Sequence, residues 1–289
     1  MNVLDLGGAR HFCQGFSATA GPPSASLREY VRHHLGRKGQ FLEGTIGFTG
    51  LRDCLLRDAE RCLLLSLSHY RRALDLLTPV ASPWAAVTLY YGSYFSARSI
   101  LGVFGAAIDP PNWLLEIAAA NPGSQRLVIR PLSRYSQSPH NYTGTHRVFW
   151  DHFYEAGSQI QPWCPQGMDS PLFPVNKSIV WQIDTRNNIN YDTFIAVDAA
   201  AAFSQSFSGG NLPGSLRGPL ATQFKTTKET IELALWVWNE VSLATDALAV
   251  FSSGGLKDVA EHLIRDAEAP FNHLRPLFAV DPAGVRRLT

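Results

Sequence analysis

Trp84-Ala85-Ala86-Val87-Thr88-Leu89-Tyr90-Tyr91-Gly92-Ser93-Tyr94-Phe95-Ser96-Ala97-Arg98-Ser99-Ile100-Leu101 is the core of the most apolar run in the chain. Its length would suit a membrane span, which needs about 20 apolar residues. Tyr90, Tyr91, Tyr94, Arg98 and the serines at 93, 96 and 99 interrupt it, so it reads as the central helix of a soluble bundle. Ser82 is expected as its N-cap with Pro83 at the first helical position, and Gly105 closes it after Phe104.

On its N-terminal side, apolar residues recur with helical period from Leu51 to Leu77 and stop before Pro79. On its C-terminal side, Asp109 to Tyr142 reads as an insertion holding a short helix over Trp113–Ala120 and a peripheral strand over Leu127–Arg130. Thr145 is expected to cap a third helix, His146–Ala156, and a fourth runs from Asn176 to the Arg186 segment. Further helices are expected over Thr193–Phe207, Thr227–Phe251 and Leu256–Ala267, with a loop at Gly218-Pro219 between the first two. The expected fold class is all-α, an elaborated up-down bundle whose insertion, residues 107–143, carries a short β element. Residues 1–45, rich in glycine with one helical candidate over Ser26–Leu35, form an arm; 46–207 form the bundle and 208–289 a helical extension.

Charged residues are 17% of the chain against a hydrophobic 45%, which excludes a disordered protein. A formal net charge of +1 excludes a globally basic one, so any nucleic-acid contact has to come from a local patch such as Arg28, Arg32, Arg37 and Lys38. Cys13, Cys54, Cys62 and Cys164 show no Cys-x-x-Cys spacing, and no basic-then-apolar leader opens the chain; a cytoplasmic protein is expected. Gly7-Gly8 lacks the Lys-Ser/Thr of a phosphate-binding loop, there is no Gly-x-Ser-x-Gly, and the histidines lack companions at metal-ligand spacing. No metal and no cofactor are expected.

The chemistry-bearing stretch is Arg186-Asn187-Asn188-Ile189-Asn190-Tyr191. A guanidinium holds phosphate bidentately, Asn187 and Asn190 offer amides beside it, and Tyr191 is a phenol with an ordinary pKa near 10. Such a phenol donates a hydrogen bond more readily than it takes a proton. Arg147 and His152 form a second Arg-x4-His spacing, the alternative catalytic pair; Arg28 and His33 form another, so the spacing by itself is unspecific. An arginine, an amide and a phenol at one helix end also serve to satisfy carbonyls and pack, and the tyrosines at 90, 91 and 94 also suit a bundle core.

Three segments, in order, resemble the HEPN superfamily (higher eukaryotes and prokaryotes nucleotide-binding). Tyr90-Tyr91 to Leu101 resembles its Tyr-Tyr-x-x-Phe-x-Ala-x-x-x-Leu helix, and Thr145-His146 with Phe149 and Phe153 its Thr-His segment. Arg186-Asn187 to Tyr191-Asp192 is similar to its terminal Arg-x-x-x-(Asp)-Tyr signature, in the branch with tyrosine in place of histidine. The resemblance covers roughly residues 50 to 207. It implies a helical bundle, often dimeric, that binds nucleic acid or nucleotide in a prokaryotic toxin or antiviral system, with Arg186 on phosphate. It also leaves open a structural or protein-interaction subunit without ligand, and a metal-independent RNase. The expected partners are RNA or a nucleotide and a second protein chain, with no membrane.

Aromatic residues are 11% of the chain, and with charge this sparse a single domain leaves apolar surface for a partner. Light scattering of the purified protein is expected to give a mass above the 31.8 kDa of one chain, or a partner that stays bound through purification. A bare monomer at high concentration would count against it.

Overall fold

The computed structural model describes residues 1–16, 26–34, 39–78, 81–110, 112–132, 143–172, 178, 181–191, 196–197, 200–201 and 218–241. It is mostly helical, with one four-stranded antiparallel sheet. The elements in chain order are α1 (Leu6–Cys13), α2 (Leu27–His34), β1 (Gln40–Leu42), α3 (Ile46–Asp75), α4 (Ser82–Val103), β2 (Ala107–Asp109), β3 (Trp113–Ala119), β4 (Arg126–Pro131), α5 (Thr145–Ile160), α6 (Trp181–Tyr191) and α7 (Gly218–Glu240). No described helix is long and apolar enough to cross a membrane.

Helix α4 lies at the centre, against α3, α5, α6 and α7. Asp58 meets Arg98, Ser66 meets Ser96, and His69 stacks on Phe95 and Tyr91, so α3 and α4 run antiparallel. Thr227 donates to the Leu89 carbonyl at 2.8 Å and Trp238 to Ser99 at 2.8 Å, so α7 runs parallel to α4 on another side. The serines that spoil the membrane reading are buried and paired: Ser96 meets Ser66, whose hydroxyl donates to the Gly92 carbonyl at 2.8 Å, and Ser93 shares a hydrogen bond of 2.9 Å with Thr227. Small residues let the backbones close in. A Cβ built on Gly102 would stand 2.6 Å from the Ala59 Cβ, and one on Gly92 2.8 Å from the Thr227 Cγ2.

Several boundaries differ from expectation. Ser82 and Thr145 are not caps: they are the first helical residues, after Ala81 and after Gly144, whose φ is +89°. Helix α3 begins earlier than Leu51, because the Thr45 hydroxyl accepts from the Phe48 amide and caps it. Gly7 and Gly8 open α1, where the Asp5 carboxylate accepts from the Gly8 amide at 2.6 Å. Gly218-Pro219 opens α7, not a loop, since proline is tolerated in a first turn whose amides have no helical partner. The expected helix over Leu256–Ala267 and most of that over Thr193–Phe207 lie outside the described residues.

The largest correction concerns the insertion. Trp113–Ala119 is a strand, not a helix, paired on one edge with β2 and on the other with β4. Trp113 to Ile117 are buried without a break, a run whose period cannot separate strand from helix, and pairing on both edges decides it. Nor is Leu127–Arg130 peripheral: it belongs to β4, in the strand order β1-β4-β3-β2, with Leu127 and Ile129 in the main core. The arm supplies β1, which pairs with β4, and Gln125 donates to the Gly8 carbonyl at 3.0 Å.

Gly102→Ala is expected to destabilise the fold by about 1–3 kcal/mol, the usual cost of forcing a methyl into a packed contact. Ala59→Gly in the same chain should recover part of that loss, beyond what the two single changes predict by addition, in urea unfolding. Strict additivity would mean that the contact of α3 with α4 is looser than described.

Candidate functional site

Helix α6 turns Gln182, Ile183, Arg186 and Ile189 toward the bundle, the spacing of one helical face, and Gln182, Ile183 and Ile189 are buried. Arg186 is therefore a cation on an inward stripe, half-buried. Its Cζ lies 5.3 Å from the centre of the Tyr90 ring, a cation–π geometry, and its Nη1 donates to the Tyr91 hydroxyl at 3.5 Å. The Asn187 side-chain oxygen accepts from Nη2 at 2.7 Å and from Nε at 3.2 Å. Among the described residues no carboxylate forms an ion pair with Arg186.

The group facing this cation is a histidine from another helix. His146, in the first turn of α5, lies among the rings of Tyr90, Tyr91 and Tyr94, with centroids at 5.7, 6.2 and 4.9 Å. The Tyr90 hydroxyl accepts from the Trp150 indole at 3.2 Å and lies 2.8 Å from His146 Nδ1. With the indole donating to the oxygen, a neutral His146 that accepts the phenolic proton at Nδ1 carries its own proton on Nε2. Burial, and then the positive charge of Arg186, hold the His146 pKa down to about 4, so the ring is neutral near pH 7. Burial raises the Tyr90 pKa, keeping the phenol protonated. On the far side of Tyr91, His69 stacks on Tyr91 and Phe95, and burial lowers its pKa.

The residues singled out from the sequence separate. Tyr191 is 80% exposed and stands about 140° round α6 from Arg186, and Asn190 is exposed; only Asn187 touches the guanidinium. Arg147 pairs with Asp184 at 3.0 Å, tying α5 to α6. His152 is buried beside Glu155, which also binds the Met1 ammonium; burial and that ammonium lower its pKa. Arg147 and His152 therefore belong to two different networks. Sequence reasoning missed His146 as the partner of Arg186. The signal was present in Thr145-His146 and in Tyr90-Tyr91, but nothing in spacing says that positions 90, 146 and 186 meet.

Among the described residues no cluster of three or more His, Cys, Asp or Glu is placed to hold a metal. All four cysteines are free, with burial raising the Cys62 pKa to about 12, which leaves it inert as a nucleophile. Comparison with protein-family models, with curated proteins and with solved structures finds no match.

Two outcomes are expected from this network. Tyr90→Phe strands the buried Trp150 indole and should cost about 1–3 kcal/mol in urea unfolding. His146 also contributes a pH dependence. A histidine whose folded pKa is below 6.5 lets the unfolded chain bind the extra proton, so its contribution to stability is present above pH 6.5 and is lost as pH falls toward 4. His69 and His152 act with the same sign. His146→Gln should therefore flatten, without abolishing, the fall in stability across that window, and an unchanged slope would show the ring to be solvated.

Proposed function

We propose that the chain binds a phosphate-bearing ligand, RNA or a nucleotide, through Arg186. The observation that carries the reading is a half-buried guanidinium with no carboxylate partner among the described residues. A carboxylate is the usual companion of a cation withdrawn from water, and a phosphate fills the same role with stronger, bidentate hydrogen bonds. Tyr90 and Asn187 hold the guanidinium in place without neutralising it. Three of its five N–H groups are engaged, by Asn187 twice and by Tyr91 once, which leaves two.

In keeping with the resemblance of its three segments, we read the chain as an up-down HEPN-like bundle. It would act in the cytoplasm, paired with itself or with another protein, as a component of a prokaryotic toxin or antiviral system. Binding is favoured over RNA cleavage. Tyr191 is exposed and turned from Arg186, and the Nδ1 of His146 is occupied by Tyr90, so neither is set to take a proton from a ribose hydroxyl.

One observation favours a second reading, that of a structural subunit without ligand. Arg186 ties α6 to α4 through Tyr90 and Tyr91, a contact worth about 0.5–2 kcal/mol with or without an anion.

Arg186→Ala separates the two. The binding reading expects RNA or nucleotide affinity to fall by at least about tenfold, the loss of a single charge-assisted contact, beside the loss of about 0.5–2 kcal/mol of stability that goes with the Tyr90 and Tyr91 contacts. The structural reading expects that loss of stability and no ligand at any stage. Tyr191→His adds a control: folded protein with unchanged, undetectable RNA cleavage would agree with the outward position of residue 191.

A further inference from the structure

Arg186 alone is a one-residue contact, and a phosphate group presents several oxygens. His146 is held on the same tyrosine as Arg186, Tyr90. Its Nδ1 is held by Tyr90, so the ring cannot swing away, and Tyr90 is also the ring on which the Arg186 guanidinium rests. Its Nε2 has no hydrogen-bond partner among the described residues, and the residue is partly exposed. One phenol therefore positions a cation over its face and an imidazole at its edge.

We propose that His146 and Arg186 form one anion-binding pair, in which the imidazole donates the second hydrogen bond to a phosphate group held by the guanidinium. The inference rests on the phosphate-binding reading and adds to it a residue, a donor atom and a linkage to protons. An anion between the two groups cancels the repulsion that Arg186 exerts on an imidazolium. The free site therefore holds neutral His146, and the occupied site favours a second proton on Nδ1, which then donates to the Tyr90 oxygen in place of accepting from it.

The neighbours leave His146 as the group whose charge changes. From α4 it is faced by Tyr90, Tyr91 and Tyr94, and burial raises the pKa of Tyr90 and of Tyr94. From α6 it is faced by Arg186, while Asp184 is paired with Arg147 of α5. Arg98 lies over Tyr94 and is paired with Asp58 of α3, and His69 stands beyond Tyr91.

The sign follows by linkage. Burial and Arg186 set the free-state pKa of His146 at about 4, and the anion raises it. Affinity is then flat above the raised value, tightens as pH falls through it by at most about tenfold per unit, and levels again near pH 4.

The test uses the full chain and oligouridylate, whose bases and phosphodiesters do not titrate between pH 5 and 8, with inorganic sulfate as a second probe. Wild type should bind several-fold more tightly at pH 5 than at pH 7, on the order of three- to tenfold. The His146 ring signals in NMR should begin to titrate within that range only when the probe is bound. His146→Gln should still bind but lose the pH dependence, and Arg186→Ala should lose binding. Binding that needs Arg186 while the pH profile and the His146 signals stay unmoved overturns this inference and leaves the phosphate-binding reading standing. Failure of wild type to bind either probe overturns both. Binding of sulfate with the expected pH profile, but not of oligouridylate, supports the pair and assigns it to a small phosphorylated ligand.

Discussion

A helix buried along most of its surface has to meet two conditions, and α4, partly exposed only from Pro83 and Trp84 through Thr88, Tyr91 and Phe95 to Arg98, shows how both shape the rest of the molecule. Its buried serine hydroxyls cannot reach water, so each needs a protein partner: Ser93 meets Thr227, Ser96 meets Ser66, and Ser99 meets Trp238. Its neighbours have to come close enough to leave no void, which Gly92 and Gly102 permit. These hydroxyl pairs also fix register, because a slide of α3 or α7 along α4 would leave several buried polar groups unmatched at once. The residues that mark the run as something other than a membrane span are thus the ones that choose its neighbours.

The same helix carries Tyr90, where packing turns into chemistry. Its ring is fully buried, and its hydroxyl sits where α4, α5 and α6 converge. Trp150 donates to the oxygen, the phenol donates to His146, and Arg186 lies over the ring. A phenol suits this position because it stays protonated when buried and offers a face to a cation and an edge to an imidazole. A phenylalanine would keep the face and lose the edge.

How much of this was legible in the sequence follows from the range over which each signal acts. Helices α3, α4 and α5 were readable within a few residues because their apolar periods are local. The starts were less so: Gly144 opens α5 with a positive φ, while a side-chain cap at Thr145 was the stronger sequence pattern. The sheet was half-read: Leu127–Arg130 reads as a strand, but Trp113–Ala119, apolar apart from Glu116, takes its form from pairing on both edges, with β2 just before it and β4 just after it. For the site, Arg186 was legible from its residue type and setting. His146 was not, because its role depends on a hydrogen bond across 56 positions to Tyr90. The Arg-x4-His spacing of Arg147 and His152 is unspecific for the converse reason: five positions set the two about 140° apart round one helix.

Arg186 and His146 also bear on each other through charge. Placing a histidine beside an unpaired guanidinium costs nothing while the ring is neutral, and burial already favours that state. A lysine at position 146 would instead keep its charge near neutrality, repel Arg186 and bring a second cation to desolvate. A glutamate would neutralise Arg186 and leave no reason for an anion to bind. A neutral imidazole is the choice that keeps the guanidinium unpaired while still offering an N–H beside it. A purely structural tie between α5 and α6 has no need of that property, and one already exists in the Arg147–Asp184 pair a residue away. The electrostatics of the pair are thus those that the proposed anion site requires.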